Sequence, residues 1–383
     1  MDIQPLTVAF DAKRLVKNRT GLGNYSRYVI EALKLFAPNI ACLLSSASAG
    51  DPTLYQQLIG QNVQLITGKK DHLPLYEARW RNSLARKPLL ARGAQLFHGL
   101  SNELPANIAA WGIPSVLTMH DLIYELYPQF YPRLDALLYH VKYKRSCRLA
   151  SRIVAVSQCT KRDIIARYGI AEEKITVIYQ GCAELFKQTV TPEQLAQAQH
   201  ALHLPPRYLL SVGSIEERKN AGLIVEALPK LDNQEIPLLL AGQTTAYTHR
   251  ILQRAKALRV AHRVRVLGSV PTPLLPALYQ AADLFIYPSL YEGFGIPILE
   301  ALHCGVPVIG ATGSCLEEAG GPHSRYCNPH DAHSLATHIN QVLAHEELRR
   351  TMVAEGKRWA QHFSQSTMAQ QLATLYSQLV DHH

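Results

Sequence analysis

The stretch Tyr287-Pro288-Ser289-Leu290-Tyr291-Glu292-Gly293-Phe294-Gly295-Ile296-Pro297-Ile298-Leu299-Glu300-Ala301-Leu302 decides the fold. It reads as strand end, glycine loop, then helix. The short apolar run Leu284 to Tyr287 stops at Pro288, and Gly293 and Gly295 let the backbone turn and approach a ligand closely. Pro297 suits the first turn of a helix that continues through Glu300. The free amides and positive end of such a helix favour a phosphate. Eight residues at about 100° each set Glu292 and Glu300 roughly 80° apart in rotation, so they do not share one helical stripe. Glu292 is therefore expected in the loop and Glu300 one turn into the helix. That offers one carboxylate to sugar hydroxyls and another to a ribose; the plainer alternative is a loop charge and a helix-surface charge.

The same alternation of apolar run and helical pattern continues in both directions. Leu6 to Phe10, Ser115 to Met119, Ile153 to Val156 and Ile175 to Ile178 read as buried strands in the first half. Leu209 to Val212, Leu238 to Ala241, Val264 to Leu267, Leu284 to Tyr287 and Val306 to Ile309 do so in the second. Such a chain predicts an α/β protein of two Rossmann-like, doubly wound domains with ligands at the carboxyl ends of the strands. A length of 383 residues also suits two cores better than one. The expected organisation is a first domain over 1–184, a linker over 185–206 that holds a polar helix from Pro192 to His203, and a second domain over 207–362. In the last segment, 363–383, Ser364 is placed to cap a helix, with Met368, Leu372, Leu375, Tyr376 and Leu379 at helical spacing.

Charge is distributed unevenly. Residues 1–184 hold 23 Lys and Arg against 14 Asp and Glu, so the whole excess of +9 lies there and the remainder is neutral. An anionic lipid surface or a phosphorylated acceptor is a natural partner for such a half, as is plain solubility. Basic residues 142, 144, 145, 148 and 152 are read on one helix, with 144, 148 and 152 as a stripe for an anionic membrane or for solvent. Basic and aromatic residues do not interleave as base-stacking surfaces require, which argues against nucleic acid. Seven widely spaced cysteines without a Cys-x2-Cys pair point to free thiols and a cytoplasmic location. No apolar run is long enough to span a bilayer and Met1 to Val16 has no leader-like core, so any membrane contact is expected to be peripheral, at the inner face.

The segment 287–309 closely resembles the donor-site segment of family 4 retaining glycosyltransferases of the GT-B fold, bacterial mannosyltransferase-like members above all, and the resemblance runs from residue 6 to about 380. It implies two domains facing a cleft, a last helix crossing back onto the first domain, and a nucleotide-diphosphate sugar as substrate with no cofactor. On this reading Gly21 and Gly23, in Thr20-Gly21-Leu22-Gly23-Asn24-Tyr25, close over the donor diphosphate; by themselves they are a tight turn at the start of a helix. His120, followed by Asp121 at the end of a strand, hydrogen-bonds the transferred sugar, with Asp121 available to orient the ring. Arg218 and Lys219, after Gly213-Ser214 and the first strand of the second domain, are either a solvated pair or the cations that meet the leaving diphosphate.

The resemblance further assigns Glu292 to the sugar and Glu300 to the ribose. Ser157, Gly213, Ser214, Leu267, Gly293, Phe294, Gly295 and Ile296 line the donor site, and His120, Arg218, Lys219 and Glu292 carry the catalysis. Without an Asp-x-Asp metal motif, the cations stand in for a divalent ion and no metal is expected. The implied reaction moves a hexose, mannose from GDP-mannose first, to a saccharide or lipid-linked saccharide acceptor in surface polysaccharide synthesis. UDP-glucose or UDP-N-acetylglucosamine comes second. A sugar-nucleotide epimerase of the same fold, or an inactive sugar-nucleotide binding module, are the readings from other classes.

Overall fold

The computed structural model describes residues 5–68 and 75–382. Its chain divides into two compact units, Met1–Gln180 with Phe363–His383, and Gly181–His362. Unit 1 contains β1 (Leu6–Asp11), β2 (Ile40–Ser46), β3 (Val63–Thr67), β4 (Leu96–Gly99), β5 (Ser115–Met119), β6 (Arg152–Ala155) and β7 (Ile175–Val177). They form one parallel sheet in the order β3-β2-β1-β4-β5-β6-β7. Unit 2 contains β8 (Leu209–Val212), β9 (Leu238–Ala241), β10 (Val264–Gly268), β11 (Leu284–Tyr287), β12 (Val308–Ala311) and β13 (Arg325–Cys327), parallel in the order β10-β9-β8-β11-β12-β13. Each sheet reverses its winding beside its first strand. The crevices between the ends of β1 and β4, and of β8 and β11, are therefore the places for ligands.

The long apolar runs form central strands because they are buried on both faces: β9 and β11 are buried throughout. The strands absent from the sequence reading carry polar residues that find partners inside. In β2, Ser45 Oγ accepts from Trp80 Nε1 at 3.1 Å, and in β4 the fully buried His98 is hydrogen-bonded through both ring nitrogens. β3 and β13 are edge strands with exposed or half-buried positions. β12 begins two residues later than the run Val306 to Ile309, after Pro307.

Two expectations change. Residues 185–206 carry the polar helix expected there, over Pro192–Leu202, closed by a capping box between Thr191 and Gln194 with Pro192 in its first turn, but they belong to unit 2 and are not a separate linker. Arg152 is not on the basic helix, which spans Arg133–Leu149. It opens β6 and donates to the Glu173 carbonyl. Lys144 lies 5.9 Å from the centroid of the Tyr168 ring, so the 144/148/152 stripe does not form.

The helix Gln365–Asp381, capped by Ser364, packs in unit 1 on the helix Gly21–Phe36. Its buried Tyr376 hydroxyl meets His98 Nδ1 at 2.6 Å; His98 Nε2 meets Thr118 Oγ1 at 2.9 Å, and Tyr25 OH meets the same oxygen at 3.2 Å. Burial pushes the His98 imidazolium down to about 3, so the ring is neutral and serves once as donor and once as acceptor. Tyr376→Phe leaves one buried ring nitrogen unpartnered and should cost about 1–3 kcal/mol in denaturant unfolding of the full chain. A change below about 0.5 kcal/mol would show that the pairing does not fasten the last helix.

Candidate active site

The crevice of unit 2 is built by the loops after β8 and β11. Gly213, at φ 144°, turns the chain at the end of β8, and Gly242, at φ 149°, does the same after β9. A Cβ on Gly242 would lie 1.8 Å from the Gly213 carbonyl oxygen, so the two strand ends can touch only through glycine. The β8 loop then closes a 3-10 turn, Glu217–Lys219, that presents Arg218 and Lys219. After β11, Pro288 to Gly295 lead into the helix Ile296–His303, with Gly295 as N-cap at φ 105° and Pro297 in the first turn. Glu292 lies in the loop and Glu300 in the helix, as their spacing requires.

Arg218 and Lys219 are not a solvated pair: each side chain is 16 % exposed, and both lie on Glu292, itself 11 % exposed. Lys219 Nζ is 2.5 Å and Arg218 Nη1 2.8 Å from Glu292 Oε1, which also accepts from Ser289 Oγ at 2.8 Å and Tyr287 OH at 3.0 Å. Burial alone would raise the Glu292 carboxyl. The Lys219 and Arg218 charges, with the hydrogen bonds from Lys219 and Ser289, overcome it and hold the group down at about 2. Arg218 donates further to the Tyr291 carbonyl at 2.6 Å and to Glu216 at 2.8 Å. Gly213, Ser214, Lys219 and Tyr287 line one small cavity beside this cluster. Such a cluster keeps two cations in place at a strand end, where a diphosphate can take over their charge.

Glu300, half-buried, accepts from Tyr279 OH at 2.8 Å. Burial raises its carboxyl to about 7, against the lowering effect of that hydrogen bond, so near neutrality it exchanges between acid and carboxylate. Phe294 and Gly295 are buried in the loop, Gly293 and Ile296 partly so. Leu267, partly exposed, precedes Gly268, the last residue of β10, whose carbonyl accepts from the Gly242 amide. Tyr287, Ser289 and Tyr279 are site residues that the sequence reading passed over. The first two stand in the quoted segment, where a tyrosine in the last position of a buried strand and a serine three residues before a glutamate were the available signals.

The remaining candidates belong to unit 1. His120 follows β5, 8 % exposed; its Nε2–H donates to the Leu100 carbonyl at 2.9 Å, and burial lowers its imidazolium to about 4. The ring is therefore neutral, with Nδ1 as an acceptor, and it is the Leu100 carbonyl that orients it. Asp121 accepts from the Ile123 amide. Tyr25, from the glycine turn, sets its ring edge-on to His120 at 4.5 Å, so that turn and His120 do come together. Gly23 is required by packing, since a Cβ there would lie 1.9 Å from the Asn18 carbonyl oxygen, whereas Gly21 is exposed and unconfined. Ser157 is fully buried, and its hydroxyl caps the helix Gln158–Tyr168 by accepting from the Thr160 amide. At the β1/β4 crevice a second cavity is lined by Asp11, Lys13, Arg14, Arg81, Ser101, Glu103 and Lys142. Asp11 is 6 % exposed, and burial raises its carboxyl against the pull of Arg81.

Residues 26–183 match the model of Glycosyltransferase Family 4, and residues 193–359 that of Glycosyl transferases group 1. The O-antigen chain mannosyltransferase B of Escherichia coli is 31% identical over 381 residues, covering 94% of this chain and 96% of that one. The serotype-specific mannosyltransferase WbdA of Escherichia coli is 28% identical over 71% of this chain, which spans only 35% of WbdA. Among solved structures, Anabaena Alr3699/HepE in complex with UDP and glucose shares the fold with a TM-score of 0.76 at 22% identity, covering 98% of this chain and 100% of that one.

Glu300 gives the site a pH signature. Its folded-state value lies above the ordinary one, so its contribution to stability is complete below about pH 4.5 and is lost as pH rises through about 7. The melting temperature of the natural chain should fall relative to that of Glu300→Gln between about pH 5 and pH 8. Parallel curves for the two proteins would place the titration elsewhere.

Proposed function

The chain belongs to the family 4 glycosyltransferases and is a glycosyltransferase, and from that premise we propose that it transfers mannose from GDP-mannose to a saccharide or lipid-linked saccharide acceptor, with retention and without a metal ion. The observation that carries the reading is the Arg218–Lys219–Glu292 cluster at the switch point of unit 2. During transfer the bond from the sugar C1 to the β-phosphate oxygen breaks and its electron pair stays on the diphosphate. The acceptor oxygen bonds to C1, and its proton passes to a diphosphate oxygen. Arg218 and Lys219 meet the charge that grows on the leaving group, and the amides that open the helix Ile296–His303 add theirs. Glu292 holds both cations in register and offers its remaining lone pairs to sugar hydroxyls; Glu300 as a carboxylate takes the ribose.

His120 supplies a neutral acceptor, Nδ1, for a sugar hydroxyl. The β1/β4 cavity is the acceptor's place: Asp11 accepts from its hydroxyls while Lys13, Arg14 and Arg81 suit an anionic substituent. Mannose is supported by the mannosyltransferase names of the relatives that match in sequence.

Lys219→Ala and Arg218→Ala should each raise the transfer barrier by about 2–4 kcal/mol, read as kcat/KM on folded protein. Turnover close to that of the natural chain in either variant would remove that cation from the mechanism. A panel of GDP, GDP-mannose, UDP and UDP-glucose, followed by thermal shift and donor hydrolysis, should give stabilisation and turnover with the guanosine compounds, unchanged by EDTA. Stabilisation by UDP alone overturns the donor, and loss of turnover on chelation with rescue by magnesium overturns metal independence.

A further inference from the structure

Among the described residues no helix is long and apolar enough to cross a membrane. The helix Arg133–Leu149 of unit 1 nevertheless turns an apolar stripe to solvent. Leu134, Leu137, Leu138 and Val141 are 53–76 % exposed, although apolar side chains at this spacing ordinarily face a core. At about 100° per residue the four lie within a sector of about 100°, and Arg145 and Arg148 fall inside the same sector further along. Arg145 and Arg148 are exposed, whereas Lys142, about 40° outside the sector, lines the β1/β4 cavity, and the helix's one acidic residue, Asp135, also stands outside. One face is thus apolar for its first two turns and cationic for its last two. Tyr127 and Phe130, stacked at 5.8 Å between centroids and partly exposed, sit on the turn just before the helix.

We propose that this face of Arg133–Leu149 is a membrane-docking surface, the leucines and Val141 entering the acyl boundary of an anionic bilayer and Arg145 and Arg148 resting on its headgroups. A bilayer satisfies both halves of the face, acyl chains the first and anionic headgroups the second, with aromatic rings at the boundary between them. A second copy of the chain would cover the leucines alone and bring like charges together. The positive excess of residues 1–184 adds a longer-range attraction to the same surface. The basic stripe expected from the sequence is thereby replaced by a mixed one whose anchor is apolar. Docking is separate from the choice of donor and is read without it.

The test is co-sedimentation of the full chain with vesicles of phosphatidylethanolamine and phosphatidylglycerol, against vesicles of phosphatidylcholine. The natural chain should partition to the anionic vesicles. Leu134→Gln/Leu137→Gln/Leu138→Gln should lower that partition by at least about tenfold, keep its thermal unfolding, and leave turnover on a soluble acceptor unchanged. Arg145→Gln/Arg148→Gln should retain part of the binding but lose most of its salt dependence. Absence of binding by the natural chain, or full binding by the leucine variant, overturns the proposal. So does a natural chain that is dimeric by sedimentation and becomes monomeric in the leucine variant without ever binding vesicles.

Discussion

A carboxylate with two cations and two hydroxyls on one oxygen is the constraint around which unit 2 is arranged. Glu292 could not be held in so dry a place without Lys219 and Arg218, and neither cation could be kept there without Glu292, because removing either side of such a pair exposes the desolvation cost of the other. The local backbone follows from that requirement. Gly213 and Gly242 bring the ends of β8 and β9 together, the 3-10 turn delivers both cations from successive positions, and the Leu290 amide donates to the Arg218 carbonyl to stitch the two loops. The order of the sheet then puts all of this where winding reverses, which is why neighbouring loops part there and leave room for a ligand.

Much of this was legible in the chain. Central strands such as β8, β9 and β11 announce themselves as apolar runs closed by glycine or proline, and the loop-then-helix segment placed Glu292 and Glu300 in the right local structures. What escaped was polar chemistry made safe by burial. His98 inside β4 and Ser45 in β2 look like interruptions until Tyr376, Thr118 and Trp80 are seen to satisfy them, and those partners lie up to 278 positions away. For the same reason Ser157 reads as a site residue while its hydroxyl is spent on a helix cap, and Arg152 reads as helical while it opens a strand. Spacing finds which residues share a face; it does not tell which partner a polar group will take.

The Glu292 cluster and the buried histidines treat charge in opposite ways. Around Glu292 unit 2 gathers full charges and compensates them at 2.5–3.0 Å, so that cluster changes little until strong acid, while Glu300 in the following helix titrates near neutrality. Unit 1 keeps His98 and His120 neutral by burial and uses them as hydrogen-bonding posts of fixed polarity.

The connectivity of unit 1 has a consequence for biosynthesis. Its chain is interrupted at Gln180 and resumes at Phe363, so the helix that carries Tyr376 leaves the ribosome only after the whole of Gly181–His362. At about 5–20 residues per second, the stretch Gly181–His362 takes roughly 10–40 s to synthesise. Throughout that interval the seven-stranded sheet has been made while the hydroxyl that completes His98 has not. Gly181–His362, being continuous, has every residue it needs before then. The second unit in sequence is therefore the first to be complete, and the nascent protein carries an unfinished unit 1 whose closure waits on the helix Gln365–Asp381.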